Sequence, residues 1–280
     1  MSGPGDVGNA TMPIVDTHAH LDMPQFTDDL DEVLRRAEQA GVARVLCVGT
    51  DLASSRRCVE LARRCPGRLF AAAGIHPNDL EEAGPQDFSE LERLCALPEA
   101  VAVGETGLDF HYDTAPRSAQ LSAFRRHALI ALAADKPLIV HARKSDEAVL
   151  AALEEFAGRL RGVRHCFDAS PEAATRYVEC GFFISFGGAV TRPGHKKLKE
   201  AARAVPADRL LVETDSPYQS PAVHAGRRNE PAFVVETVRA LAALRGQEPE
   251  EVAAATTANA LALFFPSGQD HGCSKGGTGA

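Results

Sequence analysis

Eight short apolar runs, each followed by a stretch of helical periodicity, limit this 280-residue chain to very few architectures. The first four runs are MPIVDTH (Met12–His18), VARVLCVG (Val42–Gly49), LFAAAGIH (Leu69–His76) and AVAVGET (Ala100–Thr106). The other four are PLIVHA (Pro137–Ala142), GVRHCF (Gly162–Phe167), FFISFG (Phe182–Gly187) and RLLVETD (Arg209–Asp215). Near-continuous apolar strands belong to parallel sheets buried on both faces, whereas a half-solvated antiparallel sheet alternates apolar and polar residues.

The segments between the runs have a helical period. From Thr27, read as an N-cap with Asp28, Asp29 and Asp31 in the first turn, the residues Leu30, Val33, Leu34 and Ala37 recur at helical spacing until Gly41. Leu121, Phe124, Ala128 and Leu132 repeat the pattern, as do Ala148, Val149, Ala152, Leu153 and Phe156. Eight β–α alternations in roughly 250 residues are the size and count of a (β/α)8 barrel. A doubly wound open sheet usually carries a glycine-rich phosphate loop after its first strand. Here that place holds His-Ala-His. We therefore expect one α/β domain, a TIM barrel over residues 12–265. The polar, glycine-rich ends, 1–11 and 266–280, are expected to be disordered.

Composition removes several function classes. A net charge of −8 argues against a broad basic surface that coats nucleic acid, although a local basic mouth is compatible with it. The seven cysteines (Cys47, Cys58, Cys65, Cys95, Cys166, Cys180, Cys273) are scattered without a CxxC pair, as in reduced, cytoplasmic proteins. The polar, glycine-rich start leads us to expect no secretory leader, and no apolar stretch reaches the roughly 18 residues of a membrane span.

In such barrels the active site lies at the C-terminal ends of the strands. There the sequence places His18 and His20 (first strand), His76 (third), Glu105 (fourth), His141 (fifth), His165 (sixth), and Glu213 with Asp215 (eighth). In a strand, residues two apart share a face, so His18 and His20 should project together. Imidazole with carboxylate suits Zn²⁺, Mn²⁺, Fe²⁺ or Co²⁺, and carboxylate-rich subsites also take Mg²⁺. His18, His20, Glu105, His141, His165 and Asp215 are too many for one catalytic zinc, which takes three protein ligands and a water. They suit two divalent ions roughly 3.5–4 Å apart that share a carboxylate. Glu105, midway through the series, is the expected bridge; His18, His20 and Asp215 complete one ion, His141 and His165 the other.

Several segments carry a further signal. VDTHAHLD, GIHP, GETGLDF, PLIVHARKS, HCFDAS, GFFISFGGAV, LLVETDSPY and RRNEP follow one another from Val15 to Pro231, and TTANALALF precedes the tail. In this order they resemble the motifs of the TatD family of metal-dependent deoxyribonucleases over essentially the whole folded chain. The resemblance implies an amidohydrolase-like barrel with a dinuclear centre on the six residues named. Two departures, Thr106 where GEIGLD is usual and YQSP where YLAP is common, touch no expected ligand.

The expected reaction is hydrolysis of DNA phosphodiester bonds, on single strands or at duplex ends, with no obligate protein partner. Asp215 is the expected proton acceptor beside the bridging Glu105. His76, Arg143 and Glu213 are expected on the substrate side, with Glu213 also able to orient a ligand. Lys144, Arg192, Arg227 and Arg228 add a cationic rim, while Lys196 and Lys197 read as a solvated helix face. The alternatives are an ester or amide hydrolase on the same barrel, including one for aminoacyl-RNA esters, and a non-catalytic scaffold stabilised by metal.

Overall fold

Strand formation follows the apolar runs closely. In a computed structural model, which describes residues 13–266 apart from Asp113, eight strands lie in chain order in one parallel sheet. They are β1 (Ile14–Ala19), β2 (Val42–Val48), β3 (Leu69–Ala73), β4 (Ala100–Asp109), β5 (Leu138–Arg143), β6 (Gly162–Arg164), β7 (Phe182–Phe186) and β8 (Leu210–Val212). The sheet meets itself where β8 returns to β1: Asp215 N–H donates to His18 O at 2.9 Å and His20 N–H to Ser216 O at 2.7 Å. The expected TIM barrel is the fold. The ends expected to be disordered lie outside the described residues, Pro266 excepted.

Nine α-helices occur among the described residues: α1 (Leu30–Gln39), α2 (Leu52–Arg64), α3 (Pro85–Cys95), α4 (Arg117–Ala134) and α5 (Asp146–Glu154), then α6 (Pro171–Glu179), α7 (Lys196–Ala204), α8 (Val234–Arg245) and α9 (Pro249–Phe264). Two cores result. One fills the shell between sheet and helices; the other fills the lumen with Val15, Leu46, Val48, Ile139, Val163 and Leu211. Leu263 and Phe264 of α9 join the lumen core, and Phe265 meets the Phe70 ring at 4.4 Å, so this last helix plugs the end opposite the functional rim.

Several boundaries differ from expectation, the ends of the third and sixth strands, at Ala73 and Arg164, among them. The first helix starts at Leu30, with Asp29 rather than Thr27 before it, because Pro24–Phe26 forms a separate 3-10 turn. Asp29 makes no side-chain cap; its carboxylate instead takes both Arg228 nitrogens at 2.8 and 2.7 Å. The eighth strand ends at Val212, three residues early, so Glu213 and Asp215 leave from irregular backbone. The fourth strand runs on to Asp109, which draws that carboxylate up to the site.

Candidate metal centre

The rim is built by close approach of neighbouring strands. A Cβ on Gly107 would lie 1.9 Å from His141 O, and Gly107 has φ +147°, so only glycine lets β4 and β5 meet here. Arg164, buried on the outer side, donates to the carbonyls of Ala142 and His165 and holds the ends of β5 and β6 in place. Asp16 fastens β1 to the end of β8: it accepts from Thr214 N–H at 2.8 Å and Thr214 Oγ1 at 2.6 Å. Burial pushes its carboxyl up to about 8 against those hydrogen bonds.

Around this frame the expected donors converge. His18 Nε2 and His20 Nε2 face each other at 3.3 Å, with Asp215 Oδ1 at 4.0 and 3.5 Å from them. Glu105 divides its two oxygens. Its Oε2 lies 3.3 Å from His18 and 3.8 Å from His20, while its Oε1 lies 3.0 Å from His141 Nδ1 and 2.7 Å from His165 Nε2. His18, His20 and Asp215 form one group able to hold a cation; Glu105 takes part in two more, with His18 and His165 and with His76 and His141.

The residues fit a cation on three observations. Two imidazole nitrogens 3.3 Å apart, backed by two carboxylates, converge on one point that suits a cation. Four buried ring nitrogens (His18 Nδ1, His141 Nε2, and both of His165) have no well-aligned hydrogen-bond partner, although the His141 and His165 atoms lie 3.4, 2.7 and 3.5 Å from carboxylate oxygens. The protonation pattern is also divided. Burial lowers His18, whereas for His20 the pull of Asp215 and Glu105 overcomes burial and carries it up to about 9. Burial would raise Glu105 and Asp215, but the imidazoles around them hold both below the usual carboxylate value. A bound cation would replace the protons these donors share.

Ring orientation follows from the partners behind each histidine. His20 Nδ1 points at Val48 O, 2.8 Å away, so it carries the proton and leaves Nε2 free to ligate. His165 Nδ1 sits 3.5 Å from Glu213 Oε1, and His141 Nε2 3.4 Å from Asp109 Oδ2. Asp109 was not singled out in the sequence; its one signal is a carboxylate within an apolar strand. It also accepts from the N–H groups of His111 (2.8 Å) and Tyr112 (3.1 Å).

His76 is different. Its Nδ1 accepts the Asn78 N–H at 3.1 Å, and burial lowers the ring to about 3, so the neutral imidazole carries its proton on Nε2. That N–H faces Glu105 Oε1 at 3.5 Å. Glu213, expected on the substrate side, is fully buried and turned toward His165 and the Cys166 N–H (2.6 Å), away from the mouth. Arg143 is exposed at the end of β5, its guanidinium 4.8 Å from the Tyr112 ring centre. Arg228 is held by Asp29, and Lys196 is solvated, 3.8 Å from Glu200. Beside His20 opens a cleft of about 560 Å³, whose lining includes Met23, Thr50, Arg57 and Tyr218.

A barrel whose catalytic rim gathers imidazoles and carboxylates in this way defines a metal-dependent hydrolase. A family model described as TatD related DNase matches residues 15–265, and the chain belongs to that family. Over 252 residues it is 39% identical to the uncharacterized metal-dependent hydrolase YabD of Bacillus subtilis, covering 90% of this chain and 98% of YabD. It is 37% identical over 256 residues to the 3'-5' ssDNA/RNA exonuclease TatD of Erwinia billingiae, with 89% and 98% coverage. The crystal structure of the TatD homologue YjjV from Escherichia coli superimposes with a TM-score of 0.85 at 31% identity, over 90% of this chain and 97% of that one.

Proposed function

We propose that this hydrolase cleaves phosphodiester bonds in nucleic acid, with DNA that is single-stranded or at duplex ends as its substrate, and that it holds two divalent ions. The observation that carries this reading is the division of Glu105, one oxygen toward His18 and His20 and the other toward His141 and His165. His18, His20 and Asp215 would complete one ion, His141 and His165 the other, and Glu105 would bridge them. Imidazole with carboxylate on both sides suits Zn²⁺, Mn²⁺, Fe²⁺ or Co²⁺, and the carboxylate oxygens can also take Mg²⁺. When bound, such a pair activates water and offsets the negative charge of a phosphodiester.

The chain's own residues then divide the work. Asp215, 3.5 Å from His20 Nε2, accepts the proton of the attacking water. His76 offers its Nε2–H to a phosphoryl oxygen. Arg143, steadied on Tyr112, binds the phosphate, and Glu213 keeps the His165 ring aligned from behind. The exonuclease names among its relatives support a polynucleotide substrate. Among the described residues no helix is long and apolar enough to cross a membrane, and six cysteines are free thiols, which supports a reducing, cytoplasmic setting.

Turnover should be measured with protein stripped by chelator and reloaded with one metal at a time. Single-stranded DNA should be degraded only after reloading, with two ions per chain by elemental analysis. Hydrolysis of ester or aminoacyl-RNA substrates without any of DNA would overturn the substrate assignment. Full activity in metal-free protein would overturn the mechanism.

A further inference from the structure

We infer that the chain carries another metal site, built from Cys47, Cys58 and Asp22 and suited to one thiophilic divalent ion of the Zn²⁺ type. It lies one layer outside the imidazole–carboxylate centre. Cys47 belongs to β2 but joins the outer core rather than the lumen, and there it meets Cys58 of α2. Asp22 comes from the loop that follows β1, two residues after His20.

The three side chains are already gathered. Both cysteines are fully buried, the Asp22 side chain is 2% exposed, and the three ligand atoms lie within 4.8 Å of one another. The Cys47 thiol donates to Cys58 Sγ at 3.2 Å, and a carboxylate oxygen of Asp22 lies within 4.8 Å of both sulfurs. That sulfur–sulfur distance is far beyond a disulfide bond of about 2.05 Å. The thiols are neighbours that converge without being joined.

Chemistry and charge both suit a soft ion. Two thiolates and a carboxylate are ligands that zinc takes, and three protein donors leave a further position for water. Binding forms two metal–sulfur bonds and one metal–oxygen bond and releases two thiol protons to solvent, with no electron transferred. The ligands then carry three negative charges against the ion's two positive ones. Arg57, whose guanidinium lies 3.0 Å from Asp22 Oδ2, supplies the remaining positive charge, so no buried charge is left uncompensated. Asp22 and Arg57 both line the cleft of about 560 Å³, which gives the ion and its water a route in. An ion here would tie the loop carrying His20 to β2 and α2.

Cadmium(II) separates this site from the hydrolytic one, because none of the donors gathered there is a sulfur. Titrating the full-length reduced protein with Cd²⁺ should produce thiolate-to-metal charge-transfer absorption that saturates at one equivalent. Cys58→Ser should abolish the band and lower bound Cd²⁺ by one ion per chain, while Cys166→Ser leaves both unchanged. X-ray absorption of the wild-type cadmium protein should count two sulfur neighbours, a readout that needs no variant to fold. No thiolate band in the wild type, a band that survives Cys58→Ser, a band lost in Cys166→Ser, or fewer than two sulfurs would each overturn the assignment.

Discussion

Replacing Asp109 by asparagine isolates the orientation of one ligand from everything else in the site. Asp109 is fully buried; its Oδ1 serves the His111 and Tyr112 N–H groups, and its Oδ2 faces His141 Nε2 at 3.4 Å and Asn78 Nδ2 at 3.2 Å. Burial would raise this carboxyl, but His141 and the two backbone donors hold it well below the usual range, so it is charged at every working pH. Asparagine keeps the shape and one acceptor oxygen. If that oxygen stays on the backbone donors, its NH₂ group meets His141 Nε2–H and Asn78, donor against donor. If the amide flips, the same conflict moves to His111 and Tyr112. The conflict at His141 is relieved when its proton moves to Nδ1, the atom 3.0 Å from Glu105, and the ring then ceases to be a ligand.

Partners of this kind are worth about 10–100-fold in metal affinity, and each tenfold is about 1.4 kcal/mol. Asp109→Asn should therefore raise the metal concentration for half-activation by ~10–100-fold, with most of kcat restored at saturating metal. Thermal unfolding of the metal-free protein should change little, whereas Asp109→Ala should also lower Tm because the His111–Tyr112 turn loses its acceptor. Activation profiles in a metal buffer measure the first effect. A metal requirement unchanged from wild type would refute the reasoning and leave Asp109 as a turn residue only.

Asp215 has φ +57°, which asparagine tolerates well, so Asp215→Asn removes the proton acceptor without straining the backbone. Its kcat should fall ~10²–10⁴-fold and excess metal should not restore it, while His18→Asn should be substantially rescued; equal rescue of both would deny Asp215 the role of base. Arg143→Ala should raise KM for single-stranded DNA and flatten the salt dependence of binding by about one cation's worth, and Lys196→Ala should do neither. His127 is buried between Ile75 N–H and Ala123 O, and burial lowers it from 6.5 to about 4. Its neutral ring stabilises the fold in full above about 6.5, and that contribution is lost as pH falls toward 4, by at most about 3 kcal/mol at 1.36 kcal/mol per pH unit. Denaturant midpoints between those pH values should show this slope in the wild type and a shallower one in His127→Gln, and parallel slopes would exclude the assignment.

Much of this protein is legible in one dimension. Alternation of apolar runs with helical periods specifies a parallel barrel, because strand and helix periods are local and a continuous apolar strand must be covered on both faces. The barrel then places strand ends on one rim, so His18, His20, Glu105, His141, His165 and Asp215 could be gathered on paper before any coordinate. Other assignments depended on partners distant in sequence. Asp109 and His141 are thirty-two positions apart and become neighbours only where β4 outruns its apolar run and pairs with β5. The proton on His76 Nε2 is decided by a backbone N–H, and Arg228 leaves the rim because Asp29, on the far side of the chain, accepts both of its nitrogens. Cys47 and Cys58 read as scattered thiols until β2 and α2 pack together. Patterns of hydrophobicity fix which residues reach a rim; which atom of each faces inward is set by hydrogen bonds that exist only once the barrel has closed.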